Sequence, residues 1–195
     1  MKLWHWLLGI VGIVFVLGLC YNSLVLSSNN VNAKMSLVQV QEKRRADLVP
    51  NLVEAVKDYK IFEKDVILGV TEARAKVGQL ASMDPARLAS DPALLKQLSD
   101  AQAQIGSVFS RLIAVSENYP NLKASELYKD LMAGLEGTEN RIGTARHDYV
   151  VAVQSYNNTI GTLPGVLYAG ALGFYAKAQF ETSEADRAPV KVKFN

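Results

Sequence analysis

Residues 3–26 read LWHWLLGIVGIVFVLGLCYNSLVL, 24 positions without a charged side chain. Lys2 precedes the run, and Ser27, Ser28, Asn29 and Asn30 follow it. As an α-helix rising ~1.5 Å per residue, the run is roughly 36 Å long. That exceeds a hydrocarbon core of about 30 Å, so the helix can span with some tilt. Trp4, Trp6 and Tyr21 lie toward its two ends, where amphipathic rings favour the membrane interface. The expectation is a retained transmembrane anchor over residues 1–26. A cleaved signal peptide would have a shorter apolar core and a small-residue cut site. Here the run continues past Cys20 without an Ala-x-Ala. A lipoprotein cut before Cys20 would want a small residue at position 19, and Leu19 is large.

Beyond the run the composition changes. Lys2 is the only charge among the first 26 residues, so the remainder carries 20 basic against 19 acidic side chains. A nucleic-acid binder needs a basic excess or stripe to hold phosphates; the near-neutral balance predicts no nucleic-acid partner. The single cysteine, Cys20, precludes an internal disulfide and any multi-cysteine metal cage. Charges flanking the run set orientation only weakly, with Lys2 on one side and Lys34, Lys43, Arg44 and Arg45 on the other. The reading leans to a single-pass chain with the amino terminus inside and the body outside.

From Val31 the apolar spacing becomes helical. Val31, Met35, Val38, Val49, Leu52, Val56 and Tyr59 keep an alternating 3–4 step, with Glu42 and Arg45 on the same seam. Polar residues there are expected to pair with each other or across helices. Pro50 either kinks this helix or sits in the first turn of a new one capped by Asp47. The period persists on both sides, and one kinked helix ending near Lys57 is the reading adopted. Phe62, Val66, Val70, Ala73, Val77 and Leu80 form a second helical face. Two Asp-Pro pairs and Ser90 then supply turn and cap chemistry. Leu94, Leu98, Ala101, Ile105, Val108, Leu112, Val115 and Tyr119 give a third face without a polar intruder. Tyr128, Leu131, Leu135, Thr138, Ile142, Ala145, Tyr149, Ala152 and Tyr156 give a fourth, which stops before Gly-Thr-Leu-Pro-Gly.

Long helices with brief connections predict an all-α fold: a transmembrane helix followed by an antiparallel four-helix bundle over 27–162. Parity then returns the fourth helix toward the bilayer, so residues 163–195 begin on the membrane side. Between Asp148 and Lys177 there is no charged residue. Pro164 and the glycines rule against a second span, because the uninterrupted apolar stretch is too short. The first expectation is that Leu167, Leu172 and Phe174 plug the open end of the bundle. The second is that Leu167, Tyr168, Leu172 and Phe174 lie against headgroups. The closing Ala-Pro-Val-Lys-Val-Lys-Phe-Asn suits an extended tail.

Reactive chemistry is sparse. A buried di-metal site would need paired Glu-x-x-His on facing helices, but His5 lies in the apolar run and His147 has Thr144 three residues before it. No His-Glu-x-x-His, P-loop or Gly-x-Gly-x-x-Gly is present. No cofactor, metal or catalytic residue is expected, and His147 reads as a surface residue. A different set remains beside the seams: Arg45, Asn51, Glu63, Arg74, Glu117, Glu139, Arg141, Arg146 and Asn157. Most such groups are solvated pairs worth a few tenths of a kcal/mol. The sharper expectation is a network of interhelical pairs fixing bundle register, in which losing one partner of Arg45 or Glu139 costs several kcal/mol.

The order of motifs resembles the LemA family over nearly the whole chain. The residues that carry it are Tyr21-Asn-Ser-Leu-Val, Arg45-Ala-Asp-Leu-Val-Pro-Asn-Leu-Val, Val56-Lys57, Glu63, Ala73-Arg74 and Glu117-Asn-Tyr-Pro. They continue through Leu135-Glu-Gly-Thr-Glu-Asn-Arg-Ile, Ala145-Arg146, Tyr149, Tyr156-Asn157, Pro164 and Phe174. Asp58 stands where the family often has Gly, and Val150 where Asn is common. The resemblance implies a bacterial, membrane-anchored antiparallel helical bundle. It brings no catalytic residue or cofactor, because the family has no established biochemical activity. Together these readings predict a non-enzymatic scaffold or partner-binding platform whose partners are the lipid bilayer and either further copies of itself or another membrane protein. The alternatives are a sensor of a small molecule or peptide and, more weakly, a membrane-remodelling factor acting through residues 163–176.

Overall fold

The computed structural model describes residues 2–56 and 64–180, and among these the regular structure is entirely helical. Helix α1, Lys2–Val56, is a single unbroken helix of 55 residues containing both the apolar run and the first seam. It continues through Pro50, which is exposed, so one helix rather than a new one capped by Asp47 occupies this stretch. Lys57, Tyr59, Phe62, Glu63 and the tail beyond residue 180 lie outside the described residues. Helices α2 (Lys64–Ala81), α3 (Pro85–Ser90), α4 (Pro92–Ser116), α5 (Pro120–Ala124) and α6 (Glu126–Gly161) follow, and then a 3-10 turn at Gly165–Leu167.

Local chemistry sets these boundaries. Asp84 accepts from the Ala86 amide at 2.9 Å and Asp91 from the Ala93 amide at 2.9 Å. Each carboxylate satisfies an otherwise orphaned amide, and each is followed by a proline in the first turn. The two Asp-Pro pairs therefore start two helices, through the cap chemistry that the sequence indicated. Ser90 is no cap: its hydroxyl donates back to the Ala86 carbonyl at 2.7 Å. Pro120 starts the short α5, a segment the sequence reading had left as a connection.

The directions of packing follow from which residues meet. Lys34 pairs with Asp148, Glu42 with Arg146 and Arg45 with Glu139, so α1 and α6 are antiparallel. Gln39 reaches the Leu80 carbonyl and Arg74 reaches Asp47, so α1 and α2 are antiparallel as well. Helix α4 packs on α2, again with reversed direction, since Leu80 shares a cluster with Leu95 and Leu98 while Ala73 and Val77 share one with Ala101 and Ile105. Helix α1 is thus the spine. Helices α4 and α6 are not packed along their length; a groove of about 950 Å³ lies between them, lined by Phe109, Ile113, Tyr128, Met132 and Leu135 among others.

Where burial is described, the faces read from periodicity are mostly the buried ones; the side chains of Val66, Val70, Leu112 and Val115 lie outside that description. All nine residues of the fourth face, Tyr128 through Tyr156, are buried on α6. Val31, Met35, Val38, Val49, Leu52 and Val56 are buried on α1. The third face departs from expectation: Tyr119 is exposed, and Leu95, Gln102 and Phe109 are buried beside the seam. The buried face of α4 is therefore broader than a two-position stripe, and it does contain a polar residue.

The apolar core is in two pieces. One cluster holds Val31, Met35, Val38, Leu88, Leu95, Leu98, Tyr149 and Tyr156, toward the apolar end of α1. The other holds Val49, Leu52, Val56, Val77, Ile105, Phe109, Tyr128 and Leu135 at the far end. Between them lies a layer of polar side chains.

By contrast, every residue from Trp4 to Leu19 is exposed. By length and composition, helix α1 is apolar enough to cross a membrane.

Candidate functional site

The polar layer begins with Glu42, which is completely buried. Its place on the α1 seam follows from the 3–4 spacing that buries Val38 and Val49 on either side of it. Arg146 of α6 donates to the Glu42 carboxylate through Nε at 2.9 Å, and its Nη2 meets the same oxygen, Oε1. The other oxygen, Oε2, has no hydrogen-bond partner. Burial raises the Glu42 carboxyl above its ordinary pKa of 4.5, against the opposing pull of Arg146 and Arg45. Desolvation thus outweighs two nearby cations. Arg146 also stacks on the Phe180 ring, 4.9 Å from its centroid.

Arg45 sits one turn further along α1 and is 9% exposed. Its Nη1 lies 3.1 Å from Glu139 Oε2, and its guanidinium lies over the Phe109 ring at 5.5 Å. Gly106 of α4 makes room for it: a Cβ there would stand 2.9 Å from Arg45 Nη2. Gln102 of α4 donates to the Glu42 backbone carbonyl at 3.3 Å, and Gln102 Oε1 and Arg45 Nε lack partners. Glu42 and Arg45 therefore pair across helices, each with a separate partner on α6.

A second polar assembly holds the chain after α6. Asn157 both donates to the Lys177 carbonyl and accepts from the Lys177 amide, each at 2.9 Å. Tyr149 donates to the Ala178 carbonyl at 2.7 Å and Tyr156 to the Tyr175 carbonyl at 3.1 Å. The Ala178 amide reaches the Ala89 carbonyl of α3 at 2.8 Å. Residues 174–180 are thereby laid as an extended strap between α6 and α3. The strap's own Lys177 is buried and donates to Asn32 Oδ1 at 2.9 Å, and burial lowers its pKa. Burial likewise pushes the Tyr149 hydroxyl well above the usual range for tyrosine.

Of the residues singled out by sequence, the structure brings Arg45 to Glu139 and Arg146 to Glu42, and it places Asn157 on the strap. The others are peripheral. Glu117 pairs with Lys123 at 2.7 Å on the surface, Arg74 reaches Asp47 at 3.6 Å with both exposed, and Asn51 and Arg141 are exposed. Glu63 lies outside the described residues. The expected network across all of these positions is therefore narrower, centred on Glu42. Gln102, Gln39 and Lys177 escaped sequence reading. Gln102 follows the seam residue Ala101 directly and took no weight in a two-position pattern. Gln39, which donates to the Leu80 and Met83 carbonyls at 3.1 and 3.0 Å, closes the end of α2. Lys177 is the first charge after the long neutral stretch, a signal that could have marked it.

Residues 163–174 lie beside the end of the apolar run. The Tyr21 and Phe174 rings meet edge to face with centroids 5.9 Å apart. Phe174 packs on the nearer core cluster, whereas Leu167 and Leu172 are exposed. Of the three residues expected to plug the bundle, Phe174 packs inward and Leu167 and Leu172 do not; Gly165, between them and α6, is pressed against the helix end. A Cβ at Gly165 would fall 1.9 Å from the Thr159 carbonyl oxygen.

Chemically, these arrangements can fix register and bear charge. Among the described residues no three His, Cys, Asp or Glu side chains converge in a way that could hold a metal ion. His147 is exposed on α6.

Comparison with known proteins places these features in a family. The model of the LemA family matches residues 34–194, which include the polar layer and the strap. The chain is 30% identical over 169 residues to the protein LemA of Metamycoplasma hominis, covering 87% of this chain and 72% of that protein. It is 28% identical over 197 residues to the magnetosome protein MamQ 2 of Paramagnetospirillum magneticum, covering 94% and 72%. Over the same shares it is 25% identical to the magnetosome protein MamQ of Magnetospirillum gryphiswaldense.

Proposed function

The chain belongs to the LemA family, and from that premise we propose that it is a non-catalytic platform anchored in the bacterial inner membrane, binding further copies of itself or another membrane protein. One observation carries this reading: α1 is continuous from an exposed apolar stretch into the buried spine of the body. The body is then held at the bilayer by an unbroken rod. Its partners are restricted to the membrane surface, where tethering raises their effective concentration without any new contact. The near-neutral charge balance beyond the apolar run supports protein or lipid partners over nucleic acid. The reading places the body outside the cytoplasm; a topology reporter fused after Asn195 tests that side.

Crosslinking in native membranes followed by mass spectrometry tests the platform. Recovery of the same neighbour, or of a self-crosslink, in independent preparations supports it. A chain that captures no neighbour at all counts against it. A second reading, a sensor of a small molecule or peptide, is favoured by the groove between α4 and α6, whose volume is in the range of ligand sites. Apolar side chains line it, and Arg45 and Glu139 of the polar layer reach its wall. Ligand-observed NMR with small aromatic probes separates the two, since a groove that takes none of them leaves only the platform.

A further inference from the structure

We propose that residues 163–175 form a second membrane contact, an apolar elbow set into the same leaflet from which α1 emerges. The inference rests on the reading of α1 as a membrane span and adds to it a site on the body itself. Its first support is a position. The charge-free run of α1 ends at Leu26, and the Phe174 ring packs on Tyr21, inside that run and about 8 Å short of its end at the helical rise. The elbow therefore stands beside the last turns of the run that the bilayer has to hold.

Its second support is what the elbow shows to its surroundings. Leu163 is 74% exposed, Leu167 75% and Tyr175 72%, with Val166 and Leu172 also exposed. Five large apolar side chains on one short segment would be costly in water and are at home in the interfacial zone of a bilayer. The segment is braced. Val166 N–H donates to Thr162 O at 3.0 Å, Ala169 N–H to Gly165 O at 2.9 Å, and Phe174 N–H to Ala169 O at 2.9 Å. Gly173 takes a left-handed turn, φ +79°, which permits the last of these to close. No charged residue lies between Asp148 and Lys177, so the contact is apolar and indifferent to headgroup charge.

The test uses the full chain with Cys20→Ser, reconstituted in vesicles of phosphatidylcholine alone or mixed with phosphatidylglycerol. Single cysteines at Leu167, Leu172, Ile13 and Gln104 carry an environment-sensitive fluorophore, and quenching is read with lipids spin-labelled near the headgroup or near the chain end. Leu167→Cys and Leu172→Cys are expected to be quenched by the shallow label about threefold more strongly than Gln104→Cys, as side chains seated a few ångströms below the headgroups would be. The two lipid mixtures are expected to agree. Ile13→Cys reports the span separately through the deep label. If Ile13→Cys is quenched and the elbow positions match Gln104→Cys, the elbow inference is overturned while the anchor stands. If Ile13→Cys is not quenched, both fall. Quenching of the elbow only in the anionic mixture, or disulfide-linked dimers through Leu167→Cys without quenching, also overturns it, in favour of a charge-driven contact or a second copy.

Discussion

Replacing Arg146 by methionine probes the middle of the molecule most directly. Arg146 supplies both side-chain hydrogen bonds to Glu42, and both go to one oxygen of a carboxylate that is fully buried. The substitution keeps most of the apolar stem but leaves that carboxylate with no side-chain donor. Breaking one side of a buried ion pair costs about 3–5 kcal/mol. The Arg146 side chain is 30% exposed, and Arg45 remains nearby, so the lower end of that range, about 3 kcal/mol, is expected here. For a chain of this size each kcal/mol lowers the melting temperature by about 2–4 °C, giving a loss of about 6–12 °C. Circular dichroism melts of the full chain in detergent micelles measure it.

Two companions make the test specific. Glu42→Gln in the Arg146→Met background removes the stranded charge and is expected to restore at least half of the loss. Glu139→Gln is expected to shift melting by no more than about 2 °C, because Glu139 is more than half exposed and such pairs contribute about 1 kcal/mol or less. The several-kcal/mol cost that the sequence suggested for Glu139 thus moves to the Glu42 pair. Acidity gives a further arm. The folded pKa of Glu42 is raised, so the folded chain takes up the proton first, and the stability contributed by this group rises as pH falls through that pKa, levelling near the unfolded value of 4.5. Losing Arg146 raises the pKa further, so the deficit of the variant is expected to shrink as pH falls toward the unfolded value of 4.5. An Arg146→Met protein that melts within about 2 °C of the parent, or a double variant no more stable than the single, would refute the reasoning.

Three further outcomes follow from the same structure. Gly143→Ala, with nothing within 4 Å of the added carbon, is expected to stabilise by up to about 1 kcal/mol through helix propensity, whereas Gly106→Ala is expected to gain less, because the end of the Arg45 side chain must shift to admit the carbon; chemical denaturation measures the difference. Asn157→Ala removes both bonds to the Lys177 backbone and is expected to cost about 2–3 kcal/mol, against about 1 kcal/mol for Tyr149→Phe, with hydrogen exchange at residues 175–180 accelerated in the same order. The Lys34 hydrogen bond lowers the Asp148 pKa below 3.8, so its stabilisation is present above that value and lost as pH falls through the folded pKa; an acid titration of Asp148→Asn is expected to lack that limb.

The helical architecture was legible because apolar period reports burial directly: the α6 face was readable residue by residue, and Glu42 and Arg45 were recognisable as polar residues on a buried seam. Their partners were less legible. A heptad pattern says which residues turn inward, but pairing depends on the relative shift of helices far apart in sequence, which is how Arg146 came to serve Glu42 and Glu139 to serve Arg45. Gln102 was missed because α4 buries more than two positions per turn pair. The strap was invisible for a different reason. Tyr149, Tyr156 and Asn157 grip backbone groups, and backbone recognition leaves no signature in the sequence of the segment that is gripped. The groove between α4 and α6 is the absence of a contact, which no periodicity encodes.

The unbroken course of α1 has a mechanical consequence. From Leu24 to Val49 the shaft runs about 38 Å above the point where it leaves the apolar zone, with no loop on the way to take up a bend. For a chain anchored as proposed, a thinner bilayer makes the shaft recline, and about ten degrees of recline carries Val49 about 6–7 Å sideways. Lipid thickness at one end is thereby converted into lateral displacement at the other, as a lever converts angle into travel.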